Sequence, residues 1–329
     1  MIAKLKSNRV RRTYLGGGRI DAFVGEAAAA CDQPRPEDWL ASTVTAFNGT
    51  CEIAGEGLGR LDDGRLVKET VGALPILVKL LDSDERLVIQ AHPTVPFAQQ
   101  FFHSPVGKTE CWYFLPGTAP DACVYLGFKP GITRAKWQRA FDEQKGLLEL
   151  LHRIPVQAGD FVFVDGGLPH AIGAGCFMIE LQEPSDLMVV AERQTPSGRV
   201  IPEAKLHGGL GWDRMMDVYE YVGRDFDELC AKYVRRAAER PAVGRILGPE
   251  LTDKFEMHAL AAGTLGVGGV GGVAIVTEGA GRCNGLSVRK GDRLVFAGED
   301  VLTVAGDCQT VVCFKRAFHG NAPTQKELL

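Results

Sequence analysis

Short β-like runs separated by glycine-rich turns dominate the sequence and constrain its fold most. The chain has 40 glycines in 329 residues, and glycine tolerates the positive φ angles of tight turns better than any other residue. Many short strands joined by tight turns are typical of mainly β proteins built as barrels. Runs rich in β-branched and aromatic residues, bounded by Gly, Pro or Asp, predict strands at 74–81, 110–115, 123–128, 160–164 and 176–182.

Two segments with helical periodicity interrupt these strands. The first covers 133–151, where Thr133 is a candidate N-cap and the apolar residues recur at helical spacing. The second covers 212–234 and is broken near Gly223. The polar stretch that follows, 235–241, is predicted to link two domains.

An internal similarity predicts two related barrels. The segment 156–164 resembles 288–296, since each has a β-like run, a Gly-Asp turn and a second β-like run. This succession is typical of jelly-roll barrels. Leu302 in the second copy stands where His170 stands in the first, so we expect the second barrel to bind no metal and to have a packing role.

Composition and charge exclude several classes of partner. The net charge of −4 gives no reason to expect binding to nucleic acid or to an anionic membrane. No apolar run reaches the ~18 residues of a membrane span, and the first residues lack the apolar core of a signal peptide. The nine cysteines are scattered without a CxxC pair, which favours reduced thiols in the cytoplasm. Cys111 and Cys176 are interpreted as small core residues.

Four residues are spaced as metal ligands. Gln90 and His92 lie two apart in a β-like run, so their side chains point to the same face. Glu110 begins a second apolar run, and His170 lies at a turn beside a strand. Two imidazoles, one carboxylate and one amide oxygen suit a divalent first-row metal such as zinc, with room for water or substrate.

The sequence around these ligands forms a specific pattern of five runs. They are Gln90-Ala91-His92-Pro93, Gly107-Lys108-Thr109-Glu110-Cys111-Trp112-Tyr113, Tyr125-Leu126-Gly127-Phe128, Pro169-His170-Ala171-Ile172-Gly173-Ala174-Gly175 and Glu180-Leu181-Gln182-Glu183-Pro184-Ser185-Asp186. Together they resemble the type I phosphomannose isomerases (mannose-6-phosphate isomerases), especially the shorter bacterial form. Weaker similarity at 14–18 and 37–39 extends the resemblance over nearly the whole chain.

The resemblance implies a fold, an activity and a cofactor. It implies a mainly β chain of two cupin (jelly-roll) domains with helical elaborations. We place a catalytic domain with helical insertions at 1–245 and a metal-free cupin domain at 246–329. The family interconverts mannose 6-phosphate and fructose 6-phosphate, and one zinc ion per chain would be held by Gln90, His92, Glu110 and His170. The expected partners are a small sugar or sugar phosphate and, at most, a second copy of the chain.

The resemblance also nominates residues for catalysis and substrate binding. Glu180 and Asp186 match carboxylates that line the family's pocket, and Asp186 is our predicted proton carrier. Lys108 is predicted to give electrostatic support and to contact the substrate. Lys79 matches a pocket lysine, and Arg193 is a further candidate for substrate binding.

Two departures from the family bear on the substrate. Val88 stands where the family has a Ser, and Val190 stands where it has an Arg. Loss of that Arg removes a bidentate phosphate donor. Arg193 lies three residues further on, an odd offset that would point it to the opposite face of a strand unless a bulge re-aims it. The sequence therefore predicts reduced or altered activity on mannose 6-phosphate.

Three functions remain open at this point. The first is a zinc-dependent aldose–ketose isomerase, acting on the family's substrate or on a different sugar. The second is a metal enzyme of another kind, such as a cupin oxygenase, although an amide ligand is unusual there. The third is a sugar-binding or regulatory protein that keeps the metal but has lost catalysis.

Overall fold

The structure, a computed structural model, describes residues 1–27, 34–47 and 53–316. Its strands are β1 (Ile2–Lys4), β2 (Arg9–Val10), β3 (Glu37–Leu40), β4 (Leu77–Asp82), β5 (Gln90–Ala91), β6 (Glu110–Phe114), β7 (Cys123–Phe128), β8 (Leu151–Pro155), β9 (Phe161–Val164), β10 (His170–Ile172), β11 (Phe177–Gln182), β12 (Val189–Val190), β13 (Val234–Arg235), β14 (Gly244–Leu247), β15 (Glu256–Leu260), β16 (Gly263–Gly266), β17 (Gly272–Cys283), β18 (Leu286–Arg289), β19 (Arg293–Phe296) and β20 (Val301–Phe314). Its α-helices are α1 (Gly18–Val24), α2 (Val67–Val71), α3 (Val95–Phe97), α4 (Arg134–Glu143), α5 (Glu203–His207), α6 (Trp212–Met215) and α7 (Phe226–Tyr233). Among these described helices, each is too short or too polar to cross a membrane.

Two sheets build the first barrel. A seven-stranded sheet has the order β13-β9-β6-β11-β4-β3-β2, and a five-stranded sheet has the order β12-β5-β10-β7-β8. Every pairing in them is antiparallel. Side chains of the two sheets, such as Leu126 and Ile172 from one and Trp112 and Ile179 from the other, share one buried cluster. The barrel core thus lies between the sheets.

A third, eight-stranded sheet forms the rest of the body. Its main path is β1-β19-β17-β20-β15-β14, with β16 on β20 and β18 on β17. The N-terminal strand joins this sheet, since Ile2 pairs with Phe296. Met257 and Val311 from this sheet belong to the same buried cluster as the first barrel. A division at residue 245 stays a prediction, and β1 crosses it.

The internal similarity corresponds to matching turns. Gly159 and Gly291 adopt φ angles of 85° and 87°, a conformation that favours glycine. In each copy the following aspartate amide donates to the carbonyl three residues earlier, Asp160 to Gln157 at 3.0 Å and Asp292 to Arg289 at 2.9 Å. A strand follows each turn, β9 in one copy and β19 in the other.

The strand predictions are confirmed, but the first helix is shorter than predicted. The predicted strands correspond to β4, β6, β7, β9 and β11, with ends shifted by up to three residues. Thr133 caps α4 as expected, yet α4 ends at Glu143 and not at Leu151. Gln144 takes a left-handed φ of 49°, and its backbone N–H donates to two carbonyls of the last helical turn. This geometry is typical of a helix end. A short 3-10 turn then leads into β8.

The second helical region is confirmed, including its break. α6 ends at Met215 and α7 begins at Phe226. The linker at 235–241 stays a prediction, although the stretch begins in β13, which pairs with β9. Arg236 donates to the buried Asp160 carboxylate at 2.7 Å, so this stretch is fixed to the first barrel.

Candidate active site

Two rows of side chains, one from each sheet of the first barrel, face each other across a cavity. In the five-stranded sheet, Val190 pairs with Gln90, and Gln90 pairs with His170. In the seven-stranded sheet, Lys79 pairs with Glu180 on the next strand. Residues directly opposite in antiparallel strands share a face. The cavity, with open solvent at its mouth, holds about 660 Å³ of empty space.

Three predicted metal ligands meet at the inner end of the sheets. His92, Glu110 and His170 offer donor atoms that all lie within 4.8 Å of one another, and all three side chains are buried. The Glu110 carboxylate lies 3.1 Å from His92 Nε2 and 3.4 Å from His170 Nε2. Gln90 lines the adjoining cavity and is the cross-strand partner of His170.

Both imidazoles are oriented with Nε2 toward this point. His92 Nδ1 lies 2.9 Å from the Leu187 carbonyl, and His170 Nδ1 lies 2.9 Å from the Leu168 carbonyl. Because a carbonyl only accepts, each Nδ1 must carry the proton, so each Nε2 keeps a lone pair that can bind a metal. At His170 that atom has no hydrogen-bond partner among the described residues, whereas at His92 it lies 3.1 Å from Lys108 Nζ. This orientation is typical of metal-binding histidines. Burial lowers the pKa of both rings, which favours the neutral, ligating form.

The donors are not satisfied by the surrounding protein. Among the described residues, both Glu110 carboxylate oxygens and His170 Nε2 are buried and have no hydrogen-bond partner. Buried polar atoms are almost always hydrogen-bonded, and Lys108, 3.4 Å from one Glu110 oxygen, supplies charge but no hydrogen bond to the carboxylate. Three such atoms converging on one point fit a bound divalent cation. The residues present therefore suit the metal that the sequence pattern implies.

Lys108 lies beside the same donors. Its Nζ is 3.1 Å from His92 Nε2 and 3.4 Å from a Glu110 oxygen, and the side chain is buried. The lysine thus lies against the candidate ligands, and its role in electrostatic support stays a prediction.

A buried ion-pair cluster forms the opposite wall. Lys79 Nζ lies 2.9 Å from Glu180 and 3.6 Å from Glu37, and it stacks over the Trp39 ring at 5.1 Å. Burial raises the pKa of Glu180, and the nearby Glu110 charge adds to this while Lys79 opposes it. Glu180 thus combines a place on the cavity wall with an affinity for protons above that of an ordinary carboxyl.

Asp186 lies in a different environment from Glu180. Arg12 donates to both of its oxygens, at 3.1 and 3.2 Å, and its guanidinium also lies 3.0 Å from Glu37. Burial alone would raise the pKa of Asp186, but the charges of Arg12 and Lys79 outweigh it and the pKa is lowered. A carboxylate held ionised in this way is a weak base.

Sequence reasoning missed Arg12, Glu37 and Lys205 as cavity residues. The only signal was the weak similarity around Glu37-Asp38-Trp39. Arg12 sits on no recognisable motif, and Lys205 follows the last motif by many residues. Their positions depend on pairing between strands that are distant in sequence and, for Lys205, on the packing of α5 against β12.

The two departures from the family lie in one apolar cluster. Val88 and Val190 are buried against Ile201 and Leu206, with Met188 alongside, and both valines line the cavity. Arg193 lies elsewhere, over the Phe141 ring at 5.2 Å. The structure therefore does not bring this predicted substrate-binding residue to the cavity. The offset argument does not apply, because β12 ends at Val190 and Arg193 is not part of the strand.

The loop between β14 and β15 of the third sheet contacts the residue that precedes β6. Lys254 Nζ lies 2.8 Å from the Glu183 carboxylate and contacts the Thr109 hydroxyl. Glu183 in turn accepts from the Thr109 amide at 2.9 Å. Because Thr109 immediately precedes Glu110, this contact helps to fix the start of β6.

This architecture, two β-barrels with a histidine–carboxylate cluster inside the first, is that of a cupin. No family model matches the chain. It is 36% identical over 120 residues to mannose-6-phosphate isomerase ManA of Bacillus subtilis (strain 168), covering 34% of the chain and 35% of the relative. The matched part therefore spans about a third of that relative's length.

Solved structures of the same kind cover almost the whole chain. The crystal structure of the mannose 6-phosphate isomerase from Bacillus subtilis matches with a TM-score of 0.71 at 19% identity, over 95% of this chain and 99% of that one. A structure of mannose 6-phosphate isomerase bound with zinc and yttrium matches with a TM-score of 0.67 at 13% identity, over 96% and 100%. The fold implied by the sequence resemblance is thus confirmed.

Proposed function

We propose that the chain is a zinc-dependent aldose–ketose isomerase that interconverts mannose 6-phosphate and fructose 6-phosphate. The observation that carries this proposal is the set of unpartnered donor atoms on Glu110 and His170 at the inner end of a charged cavity. The similarity to mannose-6-phosphate isomerases supports the reaction, and the zinc in a relative supports the choice of metal. Gln90, His92, Glu110 and His170 would hold the ion.

The cavity supplies what the reaction requires. When bound, a divalent metal supplies Lewis acidity and orients the sugar oxygens. The proton that moves between C2 and C1 needs a carrier within hydrogen-bond reach. Glu180, with its raised pKa, fits that role better than Asp186, whose ion pair with Arg12 makes it a residue that positions the guanidinium. Lys108 offers positive charge for the sugar oxygens as negative charge develops on them.

The charges of the cavity support an anionic substrate. Four cationic side chains and three carboxylates line it, and Glu110, 3.4 Å from Lys108, makes the number of carboxylates equal to the number of cations, so the protein has no excess of negative charge to repel an anion. A sugar phosphate carries about −1.5 to −2 at neutral pH. The divalent ion would add further positive charge, so the dianion would find compensation here.

A panel assay tests the proposed activity. We expect deuterium from D2O to enter C2 of mannose 6-phosphate, with fructose 6-phosphate as product, when the zinc-loaded protein is followed by NMR. Chelation should abolish exchange, and added zinc should restore it. The panel also contains unphosphorylated mannose and fructose. Val88 and Val190 predict reduced or altered activity on mannose 6-phosphate, so the rates on the phosphorylated and unphosphorylated sugars are to be compared. A zinc-loaded protein that exchanges no sugar would support the sugar-binding alternative instead.

A metal analysis tests whether only the first barrel binds a metal. We expect one equivalent of zinc per chain, because the described residues contain a single cluster of three histidine, cysteine or acidic ligands, the one in the first barrel. Leu302, the counterpart of His170, is fully buried and apolar. Two equivalents, or an ion bound by residues after 246, would contradict the packing role of the second barrel.

A further inference from the structure

We propose that Lys205 binds the anionic group of the substrate, a phosphate monoester, in place of the arginine that Val190 has replaced. The proposal rests on the function proposed above and names the substrate-binding cation of the same cavity. It assigns a role to a residue outside every motif that carries the resemblance.

The first support is the position of Lys205 relative to Val190. α5, which carries Lys205, packs against β12, which carries Val190. The next residue, Leu206, belongs to the same buried cluster as Val190. Val190 is the cross-strand partner of Gln90, so the helix delivers a lysine to the side of the cavity where the family's arginine would project.

The second support is the absence of a counter-charge. Lys205 is only 7% exposed, and among the described residues its ammonium has no hydrogen-bond or ion-pair partner within reach. The other cavity cations differ: Arg12 is paired with Asp186, and Lys79 with Glu180. A largely buried charge loses much of its hydration and is costly without a partner, and Lys205 Nζ is not among the fully buried unpartnered atoms, so its charge remains accessible to an anion in the cavity.

The third support is the direction in which the cavity opens. Lys205 lines both the main cavity and a second cavity bounded by Phe47, Phe102 and Met188. Gln90 and Lys108 line only the main one. Lys205 thus lies with Asp186 and Met188 where the two cavities meet. We infer that the end of an extended sugar remote from C1 and C2 would reach this junction, and because Asp186 is already paired with Arg12, Lys205 is the cation left to meet it.

The electrostatic state of Lys205 agrees with this role. Burial lowers its pKa to about 8, with Arg12 adding to the effect while Asp186, Glu37 and Glu56 oppose it. Near neutral pH the amine is still mainly protonated, and a bound phosphate would stabilise that form. Above about pH 8 the free protein would lose this charge.

Binding of an unreactive probe separates this inference from the activity. Glucitol 6-phosphate and glucitol have no carbonyl to isomerise, so calorimetry on the zinc-loaded protein measures phosphate recognition without turnover. We expect Lys205→Met to weaken glucitol 6-phosphate binding by about tenfold to a hundredfold, the usual range for one charge-assisted hydrogen bond. Glucitol binding should stay unchanged, and Lys205→Arg should retain most of the affinity.

Controls make the outcome specific to Lys205. Lys136→Met, on the exposed face of α4, removes the same charge from the chain without touching the cavity and should bind as the natural protein does. Affinity for the phosphorylated probe should fall above about pH 8 in the natural protein but not in Lys205→Arg. Equal binding of glucitol 6-phosphate by Lys205→Met, or an equal loss for both probes, would overturn the inference. Intact phosphate binding with no sugar exchange would instead overturn the proposed activity alone.

Discussion

Replacing His170 by alanine should strip the metal from the protein and abolish isomerase activity. His170 Nε2 is buried and unpartnered among the described residues, and its ring is fixed through Nδ1 by the Leu168 carbonyl. A metal that polarises a reacting oxygen contributes several kcal/mol to transition-state stabilisation, so activity should fall by roughly a thousandfold or more. Metal content by plasma emission spectroscopy and C2 proton exchange measure the two effects.

His152 provides a matched control for this substitution. It is also a buried histidine, lies on β8, and belongs to the same cross-strand row through Leu126. Its Nε2 is bound to the Arg224 carbonyl at 2.8 Å and is not among the clustered donors. His152→Ala should therefore lose some stability but keep its zinc. If His170→Ala remains folded by circular dichroism and still binds one equivalent of zinc, the ligand assignment is wrong.

The sequence was sufficient to predict that three of the four candidate ligands meet, for a definable reason. Gln90 and His92 are two residues apart, and strand periodicity alone puts them on one face. Glu110 and His170 lie in runs with strong local signals. In the structure, His92, Glu110 and His170 meet as these signals suggest, because each sits at the end or edge of a strand that could be recognised on its own.

The substrate side of the cavity could not be found in the same way. Arg12 meets Asp186 across 174 positions of sequence, and Lys205 reaches the cavity only because α5 folds back onto β12. Neither residue has a local pattern that distinguishes it from a surface cation. The end of α4 was missed for a related reason. Gln144 ends the helix in a left-handed conformation, and a glutamine does not predict that conformation in a sequence as a glycine would.

The buried charges of this cavity also bear on stability, and Arg12 contacts two of its carboxylates. Its guanidinium lies within 3.2 Å of both Glu37 and Asp186, and all three side chains are buried. Removing one partner of a buried ion pair leaves an uncompensated charge and costs about 3–5 kcal/mol. Arg12→Met, which keeps an apolar stem of similar length, should therefore lower the free energy of unfolding by about that amount at pH 7.

The effect should depend on pH in a definite direction. Burial would raise the pKa of both carboxyls, but Arg12, Lys79 and the local hydrogen bonds hold the pKa of Glu37 and of Asp186 below the usual range. A carboxylate with a lowered folded-state pKa stabilises the protein above its unfolded pKa of about 4 and loses that contribution as the pH falls further. The natural protein and Arg12→Met should thus differ most near neutrality and converge below about pH 4.

Urea unfolding of the two proteins at pH 7 and at acid pH measures this difference, with both samples loaded with the same metal because a bound ligand shifts the apparent stability. Arg65→Met is the matched control: Arg65 pairs with Asp63 in solvent, with side chains 62% and 47% exposed, and exposed pairs contribute little. Its midpoint should not move at either pH. A loss at pH 7 of under ~1 kcal/mol for Arg12→Met, the size of a surface pair, would mean that Glu37 and Asp186 are stabilised without Arg12. Lys79, whose Nζ lies 3.6 Å from Glu37, would then be the cation that stabilises these buried carboxylates.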